Sequence, residues 1–266
     1  MFEEMNEADF FRKFRSEEKC KEFLYSLKWE NGFCCKRCGN KKFWKGRTRY
    51  HTRCTGCGYD ESLTANTIFH KIHLPLVKAF TIVYHLSVYK KGISCFNLSS
   101  IVGVSLKSVW FLKRKLQDSM GQMISEEVKD TGQVRTGIID GVILTHRPKV
   151  FNGLQRINIT VRSAAGPRKN QAQKHCTRVD GPAFFDPCKL QSGKYIDEQK
   201  DILHWNFRSW LTGVHHHCSS KYLKGYLDEF YFRYNHRHEG LKIWYLLMQR
   251  IIESKPYNPT VNAAKG

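Results

Sequence analysis

Cys35-Lys36-Arg37-Cys38-Gly39, followed by Cys54-Thr55-Gly56-Cys57-Gly58, sets four cysteines in two pairs within one short stretch. The spacing C-x2-C-x15-C-x2-C is that of a structural zinc site with four thiolate ligands. Each pair puts two sulfurs on one tight turn, and the glycine after the second cysteine admits a positive φ that turns amides toward the thiolates. Two disulfides are the competing use of these cysteines. No signal peptide is read at the N-terminus, and Cys20, Cys34, Cys95, Cys176, Cys188 and Cys218 show no pairing logic. Both points favour a reducing cytosol and zinc on Cys35, Cys38, Cys54 and Cys57.

Residues 29–62 therefore read as a zinc ribbon of short β-hairpins. Between the knuckles lies Lys41-Lys42-Phe43-Trp44-Lys45-Gly46-Arg47-Thr48-Arg49-Tyr50, basic and aromatic together. Such mixing serves phosphate contact and base stacking. A ribbon has little other core, so packing is taken as the main role of Phe43, Trp44 and Tyr50, with Arg47 and Arg49 as phosphate contacts. The whole chain supports a polyanion partner: its 266 residues carry 44 Lys and Arg against 24 Asp and Glu, a formal charge of +20. No apolar run approaches the roughly 18 residues of a membrane span.

On the N-terminal side of the ribbon, residues 7–28 read as one helix with Asp9 as N-cap and Phe10, Phe14, Phe23 and Leu24 along one side. On its C-terminal side, within 63–120, Leu74-Pro75-Leu76 opens a helix that Lys90-Lys91-Gly92 ends. A helix-turn-helix pattern follows. Ser94 caps a short helix with Phe96, Leu98 and Ile101; Val102-Gly103-Val104 turns; Ser105 caps a second helix bearing Val109, Leu112 and Leu116. Lys107, Lys113 and Arg114 lie on that second helix and are the expected DNA contacts.

Residues 121–133 are polar and read as a linker. From 134 to 250 the texture is mixed α/β, and 251–266 is a tail, so the fold class is α+β with several domains. Val134–Leu144 reads as a strand with a buried acid, Asp140; Leu154–Val161 as another; residues 164–178 as irregular and basic. Leu223, Leu227, Phe230 and Tyr234 form a helical core stripe. His215-His216-His217 cannot all point one way and is read as a loop. A buried acid is expensive unless it is paired or metal-bound, so Asp140 leads the catalytic candidates. Asp180, beside Gly181-Pro182, and Asp201, seven residues before Arg208, complete a set able to hold two Mg²⁺ or Mn²⁺ ions at a phosphodiester. A capping or edge aspartate beside Gly141 is the alternative for Asp140, and turn or helix-cap roles are the alternatives for the last two.

Several segments together resemble bacterial insertion-sequence transposases with an N-terminal zinc ribbon and a DDE catalytic domain, relatives of the eukaryotic Merlin group. They are Phe33–Gly39, Tyr50–Gly58, Ser62–His70, Leu74-Pro75-Leu76, Lys91–Ser94, Trp210–His216 and Tyr226–Asn235. The resemblance implies a ribonuclease-H-like catalytic domain, binding of double-stranded DNA at terminal inverted repeats, metal-dependent cleavage and strand transfer. It also implies a homodimer or larger synaptic complex in the bacterial cytoplasm, associated with the nucleoid. Carried onto this chain, it puts the catalytic acids at Asp140, Asp180 and Asp201, with Arg208 in the place of a DNA-contacting lysine. The chain departs from the family pattern: Gly141 replaces an acid, a glycine-rich stretch is missing, and the acids are only 40 and 21 positions apart. A compact active domain and a decayed, inactive DNA-binding copy both fit that spacing. An RNA-binding ribbon protein leaves the helix-turn-helix without a role.

Overall fold

Ser16 breaks the N-terminal segment. In the computed structural model its backbone is extended and its hydroxyl accepts the Lys19 N–H, which starts a new helix. The expected single helix is thus two, α1 (Glu7–Lys13) and α2 (Glu17–Lys28). Asn6, not Asp9, caps α1; Asp9 sits three residues on and returns the bond to the Asn6 N–H, a reciprocal capping box. The structure describes residues 6–89, 91–127, 133–139, 155–163, 174–179, 183–184, 202–216, 218 and 220–254.

The chain divides into two units that do not follow its order. The first comprises Met1–Val88, Cys95–Ser119 and Glu239–Gly266; the second comprises Tyr89–Ser94 and Met120–His238. In the first unit the ribbon is a three-stranded antiparallel sheet, β1 (Phe43–Lys45), β2 (Thr52–Cys54) and β3 (Asp60–Glu61). It is followed by α3 (Leu76–Val88), α4 (Cys95–Val102), the N-terminal part of α5 (Leu106–Glu127) and a helix from near the C-terminus, here named α8 (Lys242–Glu253).

An aromatic core holds α1, α2, α3 and α8 together. The rings of Phe10 and Tyr84 stack at 4.4 Å, and Trp244 of α8 meets Phe10 at 4.9 Å, Phe14 at 5.1 Å and Phe80 at 5.8 Å. Truncating one such buried ring to alanine costs about 3–5 kcal/mol. Glu17 crosses from α2 to accept the Leu76 and Val77 N–H groups at 2.9 and 3.3 Å, placing a carboxylate at the α3 N-terminus. α2 also ends on a buried ion pair: Lys28 Nζ lies 2.9 Å from Glu61 Oε1 on β3 and donates to the carbonyls of Ser62, Leu63 and Ala65.

Between α4 and α5 the chain turns through 116°. Gly103 takes φ +64, its N–H bonds to the Ser99 carbonyl, and Ser105 Oγ accepts the Ser108 N–H. Leu98 and Val102 face inward on α4, but Phe96 and Ile101 are exposed, as are Leu106 and Phe111 on α5. α5 runs on to Glu127, into the stretch read as a polar linker. Among the described residues no single helix is long and apolar enough to cross a membrane.

The second unit carries β4 (Gln133–Ile139), β5 (Gln155–Ser163) and β6 (Lys174–Val179) in antiparallel order β4-β5-β6, with β7 (Ala183–Phe184) pairing β5. β6 falls partly in the segment expected to be irregular. Its pairing with β5, not its local sequence, supplies the ladder. α6 (Ile202–His215) and α7 (Ser220–Asn235) lie against this sheet, α6 beside β4 and α7 beside β6. The expected α7 stripe holds in part: Leu223 and Leu227 are buried, but Phe230 and Tyr234 are only half-buried, with Phe230 meeting Phe207 of α6 at 5.4 Å, while Tyr231 and Phe232 take the buried places. Gly92 has φ +74, and a Cβ there would fall on the Trp210 indole and the Arg233 guanidinium. Both its backbone and the space around it require glycine.

Candidate metal centre and nucleic-acid surface

The two knuckles close into one tetrad. Cys35 Sγ stands 3.6 Å from Cys57 Sγ and Cys38 Sγ 3.5 Å from Cys54 Sγ, and all four sulfurs lie within 4.8 Å of one another. A tetrahedron with Zn–S bonds of about 2.3 Å has S···S edges of about 3.8 Å, so the sulfurs are spaced for a four-coordinate zinc. Each turn is fixed the same way. Gly39 and Gly58 take φ +73 and +67 and bond back to the Cys35 and Cys54 carbonyls at 2.9 and 3.1 Å. No close neighbour crowds either glycine, so the positive φ, not space, calls for the residue. Backbone amides do turn toward the thiolates, as with the Gly56 N–H, 3.3 Å from Cys54 Sγ.

Four thiols this close share protons unevenly. Burial pushes Cys54 up, but the N–H groups of Cys57 and Gly56 and the Cys38 and Cys35 thiols outweigh it and bring it down to about 6. The Asn40 amide draws Cys38 down, yet its hydrogen bonds to the neighbouring sulfurs carry it up to about 12. Zinc binding displaces those protons and leaves four thiolates. The tetrad thus fits structural zinc in spacing and chemistry, and its role there is to hold the ribbon folded.

The ribbon presents its other residues to solvent. Trp44 is 64% exposed and Phe43 45% exposed, so Trp44 is not packing onto the cysteines as expected, although Phe43 keeps one ring contact with Phe33 at 5.2 Å. Register explains this: Trp44 stands opposite Arg53, and Arg53 opposite Asp60, on one sheet face, while Thr52 and Cys54 point inward. Arg47 is exposed and pairs with Asp60 through Nε at 3.2 Å. Arg49 reaches α2, meeting Glu18 at 3.2 Å and Glu22 at 3.5 Å, and the Tyr50 hydroxyl donates to the same Glu18. These pairs are exposed and worth about 0–1 kcal/mol each; they leave the arginines accessible.

On α5 the expected basic face divides. Lys107 is exposed, but Lys113 and Arg114 are buried, so neither stands on an open surface. The reason is that α5 is covered on every side just beyond Phe111: Leu112, Lys113, Arg114, Leu116 and Gln117, which are spread around the helix, are all buried. His215 ends α6 with its ring 4.6 Å from that of Tyr226, and His216 at φ +62 breaks the helix. The first histidine of the run is thus helical, not in a loop.

Asp140, Asp180 and Asp201 lie outside the described residues, as does the side chain of Arg208 on α6. The strands before the first two acids are described. Ile139 ends β4 opposite Ile157, and Val179 ends β6 opposite Ile159. β4 and β6 thus run the same way and end at the same end of the sheet, two strand spacings or about 10 Å apart. Reading by residue type alone missed Arg53 as the cross-strand partner of Trp44. The signal was present: alternation outward from Cys54 turns Arg53 to the surface.

The transposase zinc-ribbon domain family matches residues 15–60, a span that includes the whole tetrad. The ISXO2-like transposase domain family matches residues 202–235, the two helices α6 and α7. No curated protein and no solved structure matches the chain. The second match begins one residue after Asp201, so none of the three candidate acids falls within it. A transposase zinc ribbon with four converging cysteines ahead of a transposase-domain segment supports an insertion-sequence transposase with an N-terminal zinc ribbon.

Proposed function

We propose that the protein is a transposase that binds the terminal inverted repeats of an insertion sequence and catalyses metal-dependent cleavage and transfer of DNA strands. The observation that carries this reading is the joint presence, in one chain, of the ribbon tetrad and the α6–α7 transposase segment. Repeat recognition is assigned to α4 and α5 acting as a helix-turn-helix. The 116° turn, the left-handed Gly103 and the Ser105 cap support it, since a recognition helix meets base edges with its first residues. Lys107 from α5, Arg47 and Arg49 from the ribbon, and Arg208 from α6 are the proposed phosphate contacts. Lys113 and Arg114 are not among them, because they are buried.

Catalysis is assigned to Asp140, Asp180 and Asp201, which would hold two Mg²⁺ or Mn²⁺ ions. Bound metal supplies Lewis-acid stabilisation of the oxygens that attack and leave phosphorus. The common end of β4 and β6 supports the first two as partners, since each acid is the next residue of its chain. Two DNA ends must be joined to one target, so a homodimer or larger synaptic complex in the bacterial cytoplasm, on the nucleoid, belongs to the same reading. Purified protein incubated with the element's end DNA and Mg²⁺ or Mn²⁺ should nick it, and Asp140→Ala should not. Equal nicking by both proteins removes Asp140 from the mechanism.

The second reading is a catalytically inactive DNA-binding protein, a decayed transposase or a regulator. The 40- and 21-residue spacing of the acids and their position outside the matched segment favour it. Repeat binding without cleavage in the same assay would establish it.

A further inference from the structure

The outer face of the ribbon sheet has a composition that duplex binding does not call for. Trp44, Arg53 and Asp60 form one cross-strand row over β1, β2 and β3. The Trp44 indole is mostly exposed and makes no ring contact among the described residues, and no carboxylate among them pairs with Lys45 or Arg53. Beside the row lies an open concavity of about 560 Å³, lined by Lys45, Gly46, Arg47, Arg53, Gly58 and Asp60. Gly46 keeps one wall low: a Cβ there would strike the Asp60 carboxylate and His51. Asp60 is engaged by Arg47, so the concavity stays net positive.

Cations alone suffice to follow a duplex backbone, and in a duplex every base face is covered by its neighbours. A free indole is of use only to a base that has left the stack. A protein partner would need a wider apolar surface than Trp44 and the half-exposed Phe43, which are set among Lys41, Lys42, Lys45 and Arg53. We propose that this sheet face binds an unpaired stretch of DNA beside a duplex, with a base stacked on Trp44 and its phosphates on Arg53 and the cations around the concavity. The proposal rests on the DNA-binding reading above and adds the strand state that the ribbon selects.

The test uses the full-length zinc-loaded protein and fluorescence anisotropy on two probes. One is a blunt duplex of about thirty base pairs, and the other is the same duplex with a single-stranded thymidine tail of about ten nucleotides. The tail should tighten wild-type binding about 5- to 150-fold, the range that aromatic–base stacking gives. Trp44→Ala should remove that gain and leave blunt-duplex affinity and zinc content unchanged, while Trp44→Phe should keep part of it. Arg53→Ala should weaken tail binding and flatten its salt dependence by about one counterion. Trp44→Ala retaining the full gain, or losing affinity equally for both probes, overturns the proposal. Duplex binding with no gain from the tail sinks the proposal alone, whereas no binding to either probe removes the DNA reading with it.

Discussion

Lys28→Met tests how the ribbon is fastened to the helices. Lys28 ends α2, and its side chain and that of Glu61 are 4% and 0% exposed. Its ammonium lies 2.9 Å from Glu61 Oε1, and it donates to the Ser62, Leu63 and Ala65 carbonyls at 3.0, 3.3 and 2.7 Å. Methionine keeps the length of the stem and removes the charge. Glu61 then remains buried with the Asn66 amide, 3.2 Å away, as its neutral donor among the described residues. Breaking a buried pair from one side costs about 3–5 kcal/mol, two to three and a half orders of magnitude in the opening equilibrium at about 1.4 kcal/mol per tenfold. The loss should concentrate where the pair holds the chain. Hydrogen exchange at the Ala65 and Ile68 amides, which bond to the Ser62 and Ile251 carbonyls, reads it directly. The double variant Lys28→Met/Glu61→Met should recover most of the protection, because an apolar pair of similar volume replaces a buried ion pair at little cost. Protection in Lys28→Met within about threefold of wild type, on the scale of independent-site errors, would show that the pair does not fasten the ribbon.

Three further outcomes follow from named contacts. Cys38→Ser should lower bound zinc below one per chain by elemental analysis, since ribbon-scale zinc sites supply about 10–16 kcal/mol of folding energy; unchanged stoichiometry would sink the four-cysteine assignment. Burial pushes His85 below its usual value, with Glu7 opposing, so the folded protein resists its protonation. The unfolded chain binds that proton below about pH 6.5, so stability should fall as pH drops through that value toward the folded pKa, and His85→Phe should flatten the Tm-against-pH slope there. On α4, Leu98→Ser should destabilise by at least the 2–5 kcal/mol of a large-to-small core change, while Phe96→Ser should change Tm little. Equal losses would mean that Phe96 is covered in solution.

The zinc tetrad was legible because its ligands are local: two turns, each set by a glycine that needs positive φ, fix two sulfurs apiece. The Gly103 turn and the Ser105 cap were legible for the same reason. The first helix was misread because apolar residues continue across Phe14 while Ser16 starts afresh, so periodicity and capping compete and capping wins. Trp44 was misread because composition says what a ribbon has available to bury, not which side of the strand faces out. Lys113 and Arg114 were misread because a charged residue on a helix is assigned to solvent by default, and only packing reveals that this part of α5 is covered on every side.

By itself, then, the sequence determined the metal chemistry, the resemblance to transposase domains and the strong excess of basic charge. Each rests on spacing within a few residues or on total charge, and neither changes when the chain folds. The tertiary structure decided which basic and aromatic residues reach solvent. It also fixed the closing of the N-terminal unit by Trp244 from near the C-terminus, and the buried Lys28–Glu61 pair across 33 positions of chain. Those outcomes depend on strand register, helix phase and contacts distant in sequence, and burial of a side chain is a property of what packs over it.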